Sequence, residues 1–386
     1  MQLATALPSP HRVASAQPVH AQLEPMDWTR AWAASLPALD ACAGAGEALA
    51  LLIQRRLDRL PQPGAGHTLQ RWQALSHLAA HDLSLAKLFE GHTDALAILA
   101  ELGTPIVMRQ SGEPALWGTW CAEPRAARLM LHGARDARPD EPVRLRLAGR
   151  KAWCSGAHDL SHAIVSGWTH DNRPALAAVD LLQPGVRVTQ EGWRAVGMQG
   201  TRSVEVVFED AEGWQVGAPG DYTARPGFWR GGAGIAACWW GGAWGLARDA
   251  RLALRPAAST APPAAGIDPR LAHLGTIDTA LSACAALLRD TAREIDRLAL
   301  AADSDGAAAL HTLALRARLS AETCADTVVA HAVRALGAGP LCQDARVARL
   351  VADLPVFVRQ SHGARDQAAL GAHLARELQE PAAWPL

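Results

Sequence analysis

The chain has 386 residues, 49% of them hydrophobic and 19% charged, with 37 Lys and Arg against 38 Asp and Glu. That apolar content excludes global disorder and allows large cores, as two or three domains or one multilayer unit. A formal charge of −1 gives no net field to draw nucleic acid or anionic lipid, so a small, roughly neutral partner is expected. The only lysines are Lys87 and Lys151, and the arginine and alanine bias reads as that of a GC-rich genome. Cys42, Cys121, Cys154, Cys238, Cys284, Cys324 and Cys342 contain no CxxC pair, which fits reduced thiols in a cytoplasmic protein better than disulfides or zinc.

Residues 1–25 read as a flexible leader, because Pro8 and Pro10 break any apolar core ahead of its A-S-A triplet. No run reaches the roughly 18 uninterrupted apolar residues of a bilayer span, so no membrane is expected. From 26 to 103, "ALALLIQRRLDRL" and "LAAHDLSLAKLFEGHTDALAILAELG" repeat Leu, Ile and Ala at helical spacing, predicting an N-terminal helical domain. Between 104 and 220, short alternating runs such as "VRLRLAG", "ALAAVDL" and "SVEVVFED" are punctuated by Gly, Pro, Asn and Asp, predicting a central antiparallel β domain. Residues 221–386 return to long amphipathic helices, predicting a C-terminal four-helix bundle. The fold class is therefore α+β and multidomain.

Several chemistries find no support. "GGAGIAA" follows no strand, so its glycines read as a place where a helix or a flat ligand comes close rather than as a dinucleotide fingerprint. The 15 histidines show no HxH or HExxH spacing, and no metal site is expected. Two Gly-bounded segments, "LWGTWCAEP" and "GRKAWCSGA", each join tryptophan to small polar or thiol residues. Trp117, Trp120 and Trp153 offer broad faces to an aromatic cofactor, although tryptophans in a sheet are also ordinary core.

Taken in order with "GMQGTRSVEVVFED" and the flanking helices, these segments resemble the acyl-CoA dehydrogenase superfamily from about residue 70 to the C-terminus. The resemblance implies FAD and an acyl thioester or related small acyl substrate, with hydride passing to flavin N5. It puts Cys121 and Ala122 along the flavin ring, Ala122 replacing a threonine whose hydroxyl would reach the pyrimidine edge. Trp153 falls on the flavin-stacking tryptophan and Ser155 on the hydroxyl beside N5. "RALGAG" resembles the loop that binds the adenosine of a neighbouring subunit's FAD, through Arg334 and Gly337, which implies a homodimer or homotetramer. Arg365 is a candidate for the phosphates, because "RAARL" replaces the usual phosphate-contacting run and no "RxxFG" loop is recognisable.

The family's catalytic Glu has no counterpart. With Asp353 in register, Ser361 stands at its position, and no acid occurs from Tyr222 to Arg248. Three readings follow: a dehydrogenase with His362 or Asp366 as displaced base, a two-component monooxygenase of the same fold, or a non-catalytic flavin- or acyl-binding protein. The redox partner is correspondingly an electron-transfer flavoprotein or a flavin reductase. "SHGARD" is not a hydrolytic triad, because residues on one helix turn cannot converge as a triad must. Ser361 is expected to cap the last helix, with Leu370, Leu374 and Leu378 as its buried stripe.

Overall fold

The structure, a computed structural model, describes residues 28–103, 115–124, 126–137, 141–255, 268–301 and 306–376. Four helices come first: α1 (Trp28–Asp40), α2 (Ala45–Gln54), α3 (Thr68–His81) and α4 (Leu83–Leu102). Asp82 sets the start of α4 by accepting the Leu85 N–H at 2.8 Å, and Gly103 ends it in the left-handed conformation. Seven strands follow: β1 (Trp117–Trp120), β2 (Leu129–His132), β3 (Arg144–Cys154), β4 (His162–Trp168), β5 (Pro174–Asp180), β6 (Val186–Val188) and β7 (Val204–Val216). The chain returns to helix in α5 (Asp221–Ala224), α6 (Gly227–Ala253), α7 (Arg270–Ala301), α8 (Gly306–Leu336), α9 (Ala338–Gln343), α10 (Ala345–Val358) and α11 (Ala364–Arg376).

The sheet runs β1-β4-β2-β3-β7-β5, with β6 on β7, and a further β4–β5 pairing closes the path into a ring. It is not wholly antiparallel. β1 pairs with β4 in parallel from Trp117 to Trp120, and β2 touches β4 in parallel at Met130–Trp168. β1 and β2 thus share one edge of β4 end to end, and β4, pairing β5 on its other edge, is buried along nearly its whole length. Alternating hydrophobicity marks a strand but carries no information on such long-range pairing.

Glycine decides how α6 meets α3. A Cβ at Gly241 would overlap the Ser76 carbonyl, and one at Gly245 would lie 2.6 Å from the Ala80 carbonyl oxygen, so the two backbones touch directly. Arg346 of α10 secures the same seam, donating to the His81 and Ala80 carbonyls at 2.6 Å each and to Asp249 at 2.8 Å. Those carbonyls are the unsatisfied end of α3, where a cation is favoured. α4 joins the helices to the sheet: Ala95 and Ile98 pack on Trp117, Ile164, Leu176 and Val216. Among the described residues α7 alone is long and apolar enough to cross a membrane; here it lies along α6 and α8 with little of its apolar window buried.

Candidate functional site

Where α4 and α6 face the sheet, a cleft of about 2270 Å³ opens. Drug-sized ligand pockets are about 300–1,000 Å³, so this one has room for a cofactor and a substrate together. β1 and the turn after β3 form its wall, while α4, α6, α8 and the α10–α11 junction form its floor and far side.

The wall is built around Trp153 and Ser155. Trp153 sits at a register shift between β3 and β7, with φ +57° and 51% of its surface exposed. A bulky residue in the left-handed region is strained, and here the strain delivers an indole face into the cleft. The next turn is fixed by the Ser155 N–H donating to the Trp153 carbonyl at 3.0 Å and by the Trp120 indole donating to the Ser155 carbonyl at 3.0 Å. Behind Ser155 runs a chain of hydroxyls. Thr201 donates to the Met198 carbonyl at 2.7 Å, and Ser203 lies 2.8 Å from both Thr201 and Ser155. Each hydroxyl owns one proton, so with the Thr201 proton on the Met198 carbonyl, Ser203 donates to Thr201 and Ser155 donates to Ser203. In that arrangement Ser155 presents a lone pair, not a proton, to the cleft.

Glu123, in the cleft beside Ala122, is held by Lys151, by Ser166 and by the Trp168 indole at 3.1 Å. Lys151 is almost wholly buried and also donates to Ser166 at 2.7 Å. Cys121 lines the cleft against Tyr222. Burial, first of all, pushes both the Cys121 thiol and the Tyr222 phenol up, so both stay neutral.

Across from the wall, α4 turns Lys87, Glu90 and Asp94 into the cleft, with Glu101 near its end. Glu101 accepts from the Gly227 N–H at 2.8 Å and pairs with Arg225, closing the start of α6. Trp229 and Trp239 of α6 narrow the space. His92 is structural: its Nδ1 accepts the Trp117 N–H at 3.1 Å and its Nε2 meets Asp58 at 3.3 Å.

Of the residues singled out from sequence, Cys121, Ala122, Trp153, Ser155, Ser361, His362, Arg365 and Asp366 all line this one cleft. Asp366 is not a free base, since it pairs with Arg318 at 3.5 Å with both side chains largely buried. Ser361 accepts the Gly363 N–H at 3.2 Å in the turn ahead of α11 instead of capping the helix. Leu370 and Leu374 are half-buried, short of the buried stripe expected, and Leu378 lies outside the described residues. Arg334 and Gly337 are not in this cleft. They lie at the end of α8, where Gly337 takes φ +68° into α9. His362, Arg365 and Arg230 also face the cleft, and none of the three has an ion-pair partner among the described residues. Lys87, Glu90, Asp94 and Glu123 were not picked out from sequence, although 87, 90, 94 and 101 follow helical spacing on one line of an otherwise apolar helix.

A flavin fits these residues. The exposed indole of Trp153 offers a stacking face, Ser155 an acceptor, and Arg230 and Arg365 uncommitted cations for a phosphate. Among the described residues no cluster suits a metal ion.

An α+β chain with a closed sheet, flanking helices and a cleft between them defines a class of fold, and solved structures share it. KijD3, solved with FMN and an amino-keto-sugar nucleotide, matches at TM-score 0.72 with 18% identity, over 94% of this chain and 97% of that one. Methanesulfinate monooxygenase MsuC from Pseudomonas fluorescens matches at 0.70 with 19% identity, over 94% and 98%. The dibenzothiophene monooxygenase TdsC from Paenibacillus sp. A11-2, in its FMN and indole complex, matches at 0.66 with 20% identity, over 81% and 84%. These neighbours have the acyl-CoA dehydrogenase-like fold, and at such identities it is the fold that is shared. No family model and no curated protein matches the chain.

Proposed function

We propose that the protein is a flavin-dependent monooxygenase that takes up reduced FMN from a separate reductase and oxygenates a small molecule. The observation that carries this reading is the direction of the Thr201–Ser203–Ser155 hydroxyl chain. Oxidised flavin has a bare lone pair at N5 and needs a donor; reduced flavin carries N5–H and needs an acceptor. Ser155 offers an acceptor. When bound, reduced flavin supplies the two electrons with which dioxygen is divided between product and water. The chain's own residues then stack on the ring through Trp153, accept its N–H through Ser155, and hold its phosphate through Arg230 and Arg365. FMN replaces the FAD expected from sequence because KijD3 and TdsC were solved with FMN.

Anaerobic titration of the purified protein tests this. Reduced FMN should bind at least about tenfold tighter than oxidised FMN, a preference that one hydrogen bond of about 1 kcal/mol largely supplies, and Ser155→Ala should remove most of it. Oxygen should be consumed when reduced FMN is delivered. Equal or tighter binding of the oxidised form, with no oxygen uptake, would sink the proposal. The dehydrogenase reading needs a carboxylate base that Ser361 cannot supply and Asp366, held by Arg318, is poorly placed to supply. Anaerobic bleaching of a bound oxidised flavin by an acyl-CoA would restore it. The homodimer or homotetramer implied by Arg334 and Gly337 belongs to the same proposal, with light scattering as its measure.

A further inference from the structure

The first turns of α6 hold an open place that packing does not explain. At helical spacing along the cleft face of this helix stand Phe228, Gly231, Gly232, Ile235 and Trp239. Glycine is the poorest helix former after proline, so two in a row within a helix need a reason. At Gly241 and Gly245 the reason is the α3 backbone, but at this pair no neighbour demands it. A Cβ at Gly232 would meet nothing within 4 Å, and one at Gly231 only Asp94 Oδ1 at 3.9 Å. The pair leaves a strip of bare helix, half-buried and open to the cleft, one side chain deep between the ridges of Phe228 and Ile235. A flat ring fits such a notch with its face on the backbone, whereas a saturated body of the same outline is too thick to lie below the ridges. The neighbouring aromatics already pack edge to face, Tyr222 on Phe228 with centroids 5.2 Å apart and Phe228 on Trp229 at 5.0 Å, and a ligand ring extends that series.

The hydrogen-bonding left over in the cleft says what the ring carries. Each carboxylate that lines the cleft is matched by a lysine or an arginine, as Glu90 is by Lys87 and Asp366 by Arg318. Donors are in surplus instead. The indole N–H of Trp239 and the Nε–H of Arg225, Arg230 and Arg318 are shut from water and have no acceptor among the described residues, and all four side chains line the cleft. A buried donor without an acceptor costs free energy that a ligand oxygen recovers. Two of the four are neighbours: Trp239 is wholly buried, and the Arg318 guanidinium carbon lies 5.7 Å from its ring centroid. From Gly232 to Trp239 the helix rises about 10 Å, which is the length of a two-ring aromatic acid. A carboxylate has two acceptor oxygens, one for each of these donors, and its bond to an arginine is of the stronger, charge-assisted kind.

We infer that the substrate is an aromatic carboxylate whose ring lies on Gly231 and Gly232 and whose carboxylate meets Trp239 and Arg318. This deepens the monooxygenase reading by naming a substrate class, and it rests on that reading only for the word substrate. Binding makes and breaks no covalent bond.

The test uses FMN-free protein and three probes of similar size, titrated calorimetrically. 2-Naphthoate is flat and anionic, 1-adamantanecarboxylate anionic but globular, and 2-naphthylmethylamine flat but cationic. 2-Naphthoate should bind at least about tenfold tighter than either of the others. Gly232→Leu, which fills the notch, should weaken 2-naphthoate at least about tenfold, and Trp239→Phe, which keeps the ring but removes the N–H, about fivefold. Gly232→Ala should raise the melting temperature while weakening 2-naphthoate, which separates loss of the notch from loss of the fold. Trp153→Gly should leave 2-naphthoate affinity unchanged, which separates a seat on α6 from one on the flavin wall. Equal or tighter binding of either control probe, no 2-naphthoate binding at millimolar concentration, or full affinity in Gly232→Leu would overturn the proposal. So would a loss in Trp153→Gly that Gly232→Leu does not share. Because no flavin is present, these outcomes are independent of whether the FMN titration succeeds.

Discussion

Trp153 is where backbone conformation and function pull apart. A left-handed residue with a side chain is strained by about 1–2 kcal/mol, and here it leaves an indole half in the open. Trp153→Gly relieves that strain but gives the unfolded chain more freedom, about 0.5–1 kcal/mol in the other direction. Its melting should therefore stay within about 1 kcal/mol of wild type, while affinity for reduced FMN falls at least about tenfold. A variant that melts early yet binds FMN normally would make the residue an ordinary structural aromatic. Asp94 makes a second prediction at this scale. Its carboxyl is raised from 3.8 to about 7, among Arg71, Glu90, Lys87, Cys238, Tyr222 and Arg318. Between those values the folded state binds more protons than the unfolded, so this group makes stability fall as pH rises from about 4 to about 7. Denaturant melts of the wild type should show that decline, and those of Asp94→Asn should show less of it; an identical slope in both would remove the group from the account.

The helices and strands differ in how far sequence reveals them. The sequence points to close approach at "GGAGIAA", but a Cβ at Gly231, Gly232 or Gly234 would meet nothing nearer than 3.4 Å, and it is Gly241 and Gly245, further along α6, that seat the helix on the α3 backbone. Gly241→Ala should destabilise by about 1–3 kcal/mol because it pushes a methyl group into the Ser76 carbonyl, which has no side-chain freedom with which to yield. Gly371→Ala on α11, with nothing within 4 Å of the new Cβ, should stabilise by up to about 1 kcal/mol. Thermal melts that ranked these two the other way round would contradict the packing. The sheet was less legible. Its strands announce themselves by alternation, but the parallel seating of β1 and β2 along one edge of β4 depends on partners some 40 residues away. Such pairing is decided by the assembled core, which no local pattern encodes.

At the scale of the molecule, the cleft's wall was readable and its floor was not. "WCAEP" and "GRKAWCSGA" hold their tryptophans and hydroxyl in an order that singles them out. Lys87, Glu90 and Asp94 stand at spacings i, i+3 and i+7, which on a surface helix are solvent-facing ion pairs, and only the covering by α3 and α6 turns them into a buried cluster. A clue was nonetheless present: the chain has two lysines, and each neutralises a carboxylate that lines the cleft. The α3–α6 seam carries a last consequence. With backbone lying on backbone, and with Arg346 tying the end of α3 to α10, α3, α6 and α10 are locked into one block. Hydrogen exchange at the α6 amides from Ala237 to Leu246 should accordingly be slow and the same with and without ligand; faster exchange on binding would reveal a hinge. Such a block gives the cleft a floor that keeps its shape when a ligand settles on it.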